Sequence, residues 1–181
     1  ITCRDWSSDV CSSDLEAIET EMEILIKNAY LEVTINKLTG SVISALWKPE
    51  NGSPRQIFHG SAFELRVFAD FIGADAWEIS PSFRDEPIDW IIVSPSKIVE
   101  FGSVRAVVET QLKIDEGESL FIHRIILYAD LAEIHTELLV DWKDPGFLIK
   151  EYYGLNLNSE FSLAEIPAAV ISRKTAPTAS H

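Results

Sequence analysis

From Asn28 onwards apolar residues recur mostly at every second position, with Leu31, Val33 and Ile35 set against Glu32, Thr34 and Asn36. A period of two sends successive side chains to opposite faces of a strand, so such runs predict half-buried β-strands. The alternation returns in Val104, Ala106, Val108, Thr110, Leu112 and Ile114 against Arg105, Glu109, Gln111 and Lys113, which predicts a sheet with one solvated face. Lys37-Leu38-Thr39-Gly40 separates two runs and ends in the residue that takes positive φ most readily, so a hairpin is expected there. Long strands are expected at 118–128 and 132–142, joined by Ala129-Asp130-Leu131 and followed by a turn at Asp144-Pro145-Gly146, which together read as a meander. Apart from an ambiguous stretch from Glu16 to Lys27, which reads as a fraying lead-in, no window of ten residues holds a 3.6-residue period. The predicted class is all-β, with helix a minor component.

The regularity breaks between Asp70 and Pro87, a segment that concentrates Asp75, Trp77, Glu78, Phe83, Arg84, Asp85 and Glu86. Loops of this length inside compact domains tend to carry function, which makes it the first place to look. The opening ITCRDWSSDVCSSDL contains a near-duplicate, Ser7-Ser8-Asp9-Val10 and then Ser12-Ser13-Asp14-Leu15, and has none of the regions of a signal peptide. It resembles a translated adapter sequence. Residues 1–15 are therefore read as a non-native extension, 16–175 as the domain and 176–181 as a truncated tail. Both cysteines, Cys3 and Cys11, fall in the extension, so no disulfide framework is expected and the lean is towards a reducing, cytoplasmic compartment.

Composition narrows the function classes. The 181 residues are 46% hydrophobic and carry 29 acidic against 15 basic side chains, a formal charge of −14. The apolar fraction suffices for a core, while the charge repels phosphate backbones and anionic lipid, so neither nucleic acid nor a membrane is an expected partner. Nucleotide-binding loops, zinc-finger spacings, Gly-x-Ser-x-Gly elbows and His-Glu-x-x-His motifs do not occur.

Several residues could nonetheless carry chemistry. His135 and Glu137 lie two apart on a strand and share a face, but no third metal ligand is evident, and a polar pair on the solvated face is the better reading. His123 could shuttle a proton near neutral pH or be a half-buried ring with a backbone partner. Asp75, Glu78, Asp85 and Glu86 could supply an acid and base pair for glycoside hydrolysis, or form an acidic loop in which Arg84 pairs with Asp85 or Glu86. Trp77 offers an apolar plate beside hydrogen-bond acceptors, which suits a sugar ring, or it plugs the core under the loop.

Four stretches in one order carry a family resemblance: NAYLEVTINKLTGSVISALW at 28–47, DAWEI at 75–79 with RDEP at 84–87, FGSVRAVVE at 101–109, and IILYADLAEIHTELLVDWKD at 125–144. AEIPAAVISRKT at 164–175 is a weaker fifth. In these the chain resembles the C-terminal β domain of family 38 glycoside hydrolases, the α-mannosidases. The resemblance implies a large antiparallel β-sandwich of the galactose-mutarotase-like kind. It also implies a parent enzyme that cleaves terminal α-mannosides, with zinc and the reacting carboxylates in a separate catalytic barrel. No cofactor and no catalytic residue is then expected in this domain. By position Trp77 is the candidate substrate contact, with Asp75 supporting its loop. The expected partners are an α-mannoside and the barrel, and the surface that meets the barrel should be apolar. The pattern departs from the family at Ser172 and Lys174, and a His often found after the Val-Asp-Trp run is missing. Two alternatives remain at this point: a self-contained mutarotase-like epimerase using His123 with a carboxylate such as Glu137, and a non-catalytic carbohydrate-binding module.

Overall fold

The computed structural model describes residues 15–70, 79, 83–85, 87–115 and 117–175. One sheet is built from β1 (Glu16–Glu19), β2 (Glu23–Lys27), β3 (Leu31–Asn36), β4 (Val42–Trp47), β6 (Phe58–Ala69) and β12 (Phe147–Leu155), adjacent in that order. The short β5 (Arg55–Gln56) pairs with β4, and β7 (Pro87–Ile88) with β6. A second sheet runs β11 (Ile134–Asp141), β10 (Leu120–Tyr128), β9 (Arg105–Ile114), β8 (Trp90–Phe101). A final hairpin, β13 (Phe161–Ile166) with β14 (Ala169–Lys174), stands apart from both. Neighbouring strands are antiparallel throughout.

The two larger sheets share one interior, as the expected all-β sandwich requires. Ile24, Ile26, Val33, Ile35 and Val42 from the larger sheet meet Ala106, Val108, Ile125 and Leu127 from the smaller. Beside them Leu65 and Val67 pack against Leu112, Ile114 and Phe121. Removing each such aliphatic side chain from water is worth about 1.5–3 kcal/mol, which makes this interior the main source of stability. The period of two is visible in β3, where Leu31, Val33 and Ile35 are buried and Glu32, Thr34 and Asn36 are not.

Both ends of the sandwich are stitched by side chains from turns. The Lys37–Gly40 turn joins β3 to β4 as expected, with Gly40 at φ 71°. Gly40 lies so close to β9 that a Cβ there would fall 2.5 Å from Thr110 Oγ1. Ser96 Oγ shares a 2.7 Å hydrogen bond with Thr110 Oγ1 and donates to Asn36 O at 3.2 Å, which ties the turn to the opposite sheet. At the other end Asn28 is 3% exposed. Its Nδ2 donates to Tyr128 O and Leu131 O, and its Oδ1 accepts from Tyr30 N and Leu31 N, all within 2.8 Å. Every valence of a buried amide is thereby satisfied, as burial demands.

Three expectations change. Glu16–Lys27 is not a fraying lead-in but the β1–β2 hairpin, and its Ile24 and Ile26 are completely buried. Its alternation lasts only a few residues beside an exposed edge strand, too short to register as a period. The meander holds from β8 to β11, but after Asp144-Pro145-Gly146 the chain leaves that sheet, and β12 pairs with β6 in the other. Asp144 fixes the crossover by accepting from the N–H groups of Glu118 and Ser119. Finally, the outward face of β9 is not uniformly solvated. Glu109 is 7% exposed, covered by Arg124 Nε and Gln111 Nε2, each donating to it at 2.9 Å.

Candidate functional site

Trp77 and Asp75, with Glu78 and Glu86, lie outside the described residues. The stems of their loop are described. β6 ends at Ala69, and Asp70 N donates to Gly146 O at 2.8 Å. The chain returns through a 3-10 turn at Phe83–Asp85 and then β7, which pairs Val67 with Ile88 and Phe68 with Pro87. The loop is thus rooted where β6, β7 and the start of β12 meet.

The sheet face beneath these stems is aromatic and cationic. Phe83 stacks edge-on against Phe68 with ring centres 5.2 Å apart. Lys150 Nζ lies 4.9 Å from the Phe83 ring centre and the Arg84 guanidinium 5.4 Å from it. Strand register sets Arg66 opposite Lys150, and Arg66 lies 4.2 Å over the Tyr152 ring. Arg66 also holds Glu64 at 2.8 Å and, against burial, keeps that carboxyl below the usual range, with help from Ser61. Arg84 makes no ion pair among the described residues, so its partnership with Asp85 is not formed. Its contact is with Phe83.

Register decides the fate of the histidines. Residues paired across antiparallel strands share a face. His123 pairs with Leu138 and with Thr110, whereas His135 pairs with Ile126 and Glu137 with Arg124. His123 therefore faces the interior, while His135 and Glu137 face outward on the other side of the sheet. Glu137 accepts from Arg124 at 3.2 Å, and His135 shares a 3.0 Å hydrogen bond with Glu133. The mutarotase-like pairing of His123 with Glu137 is excluded by the thickness of the sheet between them.

His123 meets a different carboxylate, one that strand alternation alone could not bring to it. The ring is 1% exposed rather than half-buried, with Nε2 lying 3.7 Å from Glu151 Oε1 on β12 and no hydrogen-bond partner among the described residues. Tyr153 donates its hydroxyl to the same carboxylate at 2.6 Å. His123 first, then Tyr153, hold the Glu151 carboxyl below its ordinary range against burial. Burial, reinforced by Glu151, pushes the Tyr153 hydroxyl up to about 12. Next to them Phe63 takes φ 53°, a left-handed conformation that bulky residues rarely hold. The strain sits at a bulge where Tyr152 pairs with Glu64 and Tyr153 with Ala62, leaving Phe63 between. Its ring is clamped edge-on by Phe58 and Tyr153. This inter-sheet cluster is too enclosed at His123 to receive a sugar. Its signal in the sequence was a lone polar residue in the apolar series Phe121, Ile125, Leu127.

Zinc finds no fitted place among the described residues. No group of three or more His, Cys, Asp or Glu side chains is arranged there to hold a metal ion. His135 and Glu137 are engaged with Glu133 and Arg124.

Among the described residues these features define a two-sheet, all-β sandwich domain. A family model described as the glycosyl hydrolases family 38 C-terminal domain matches residues 26–181, and the chain belongs to that family. A search of the curated proteins found no match. The association with a family of glycoside hydrolases agrees with the resemblance read from residues 28–175.

Proposed function

We propose that the chain is the accessory domain of an α-mannosidase acting on terminal α-mannosides. It packs against a zinc-dependent catalytic barrel elsewhere in the parent protein and lends Trp77, with Asp75 behind it, to one wall of the sugar pocket. Its task is positioning: a wall that orients the sugar lowers the entropic part of the barrier without touching the bond that breaks.

The observation that carries this reading is an apolar strip on β11. Leu138 and Val140 pair with His123 and Phe121, which are 1% exposed, yet they are themselves 41% and 42% exposed. Trp142 continues the strip at 46% exposed and stacks edge-on against Phe121. The core-forming face thus runs one strand past its cover, and contiguous exposed apolar surface of that kind marks an interface. The barrel is the partner proposed for it.

In the full-length enzyme, Trp77→Ala should raise KM for an α-mannoside at least about tenfold, the loss of roughly 1.4 kcal/mol of ring contact. Unchanged steady-state constants in that variant would remove Trp77 from the pocket.

A further inference from the structure

A groove at the opposite end of the larger sheet from the Trp77 loop extends the proposed function to a second site. β12 runs nine residues from Phe147 beside the loop stems to Leu155 at this end, about 27 Å in an extended strand. The groove is open to solvent, has a volume of about 590 Å³ and is lined by Trp47, Arg55, Gln56, Ile57, Leu155, Asn156 and Leu157. That volume lies within the range of small-ligand sites.

Its walls are fixed by the backbone. Trp47 and Arg55 are cross-strand partners on β4 and β5 and so lie on one face. The facing segment is tied to β5 by Asn156 N donating to Ile57 O at 2.9 Å and Asn156 Nδ2 donating to Gln56 O at 3.1 Å. The Trp47 indole is 39% exposed. The Arg55 guanidinium stands 5.9 Å from its ring centre and makes no ion pair among the described residues, in a chain whose net charge is −14. Asn156 Oδ1 likewise receives no hydrogen bond there.

The chemistry of this lining selects its occupant. The indole and the Ile57, Leu155 and Leu157 side chains offer an apolar plate and floor. Arg55 offers a fork of donors, and Asn156 a carbonyl acceptor. A purely apolar occupant would strip water from the guanidinium and give nothing in return, a costly burial. A pyranose ring answers both demands, with its C–H face on the indole and its hydroxyl rim against Arg55 and Asn156. We infer that this groove is a second carbohydrate-binding site, separate from the Trp77 loop, which takes one pyranosyl unit of a glycan.

The test is a titration of the full 181-residue chain with methyl α-mannopyranoside and methyl α-glucopyranoside, followed by amide and indole correlation spectra. The inference expects saturable shifts at the Trp47 indole N–H and the amides of Arg55, Ile57 and Asn156. Trp47→Ala and Arg55→Ala should each weaken binding, the first at least about tenfold, while Trp47→Tyr retains it. Spectral dispersion shows independently that each variant is folded. Saturation without shifts at these residues, shifts confined to residues 70–87, or equal affinity in folded Trp47→Ala would overturn the site. None of these readouts depends on mannosidase turnover, so the site and the proposed activity fail separately.

Discussion

Strands β10 and β11 are neighbours in one sheet, yet they end in opposite environments. On β10 the inward series Phe121, His123, Ile125 and Leu127 is at most 1% exposed, whereas on β11 the inward Leu138 and Val140 remain about two-fifths exposed. The difference is not in the strands but in what lies across from them. Phe121 and His123 on β10 lie against β6 and the edge strand β12 of the larger sheet, whereas Leu138 and Val140, one strand further out on β11, stay exposed. Alternation tells which side chains share a face; only the opposing layer decides whether that face is dry.

The comparison can be broken by substitution. Phe121→Ala on β10 should cost about 3–5 kcal/mol, because it removes a ring that packs against Trp90 and Trp142 and leaves a cavity. Val140→Ala, its partner across the strands, should cost less than about 1 kcal/mol in the isolated chain, since its surface is already wet. Urea unfolding of both variants measures the gap, and equal losses would mean that β11 is covered. Gly40→Ala comes next, at about 1–3 kcal/mol by the same measurement, since its Cβ meets Thr110 and its φ of 71° disfavours any side chain. Wild-type stability for that variant would detach the β3–β4 turn from β9.

The smallest expected effect is on pH dependence. Glu151, facing His123 and Tyr153, has its carboxyl lowered from the ordinary 4.5. A carboxyl whose folded pKa is depressed stabilises the fold above its unfolded pKa, and that contribution is lost as pH falls through the folded value. Glu151→Gln should therefore flatten the decline in stability below pH 4.5, by under about 1 kcal/mol given the side chain's partial exposure. An unchanged acid limb would show that the cluster contributes nothing through Glu151.

The sheets were largely legible in the residues because burial on one face writes a period of two, as in Leu31, Val33 and Ile35. The crossover of β12 was not, since the Asp144-Pro145-Gly146 turn signals a change of direction without naming the sheet that receives the next strand. Nor was the meeting of His123 with Glu151, which comes from strands in different sheets. Trp77 stood out by composition and family position, whereas Trp47 only closed the first stretch of the family resemblance, at 28–47. Its groove exists because β5 and the end of β12 close around it, contacts separated by about a hundred residues in the chain.

The central claim is that this sandwich supports catalysis carried out elsewhere in its parent. The most direct measurement compares hydrolysis of an aryl α-mannoside by the purified chain alone with hydrolysis when the chain is joined to the catalytic barrel. The account predicts no turnover in the first case and turnover in the second, with the amides of Ile134–Asp141 becoming protected from exchange. Turnover by the chain alone would contradict it.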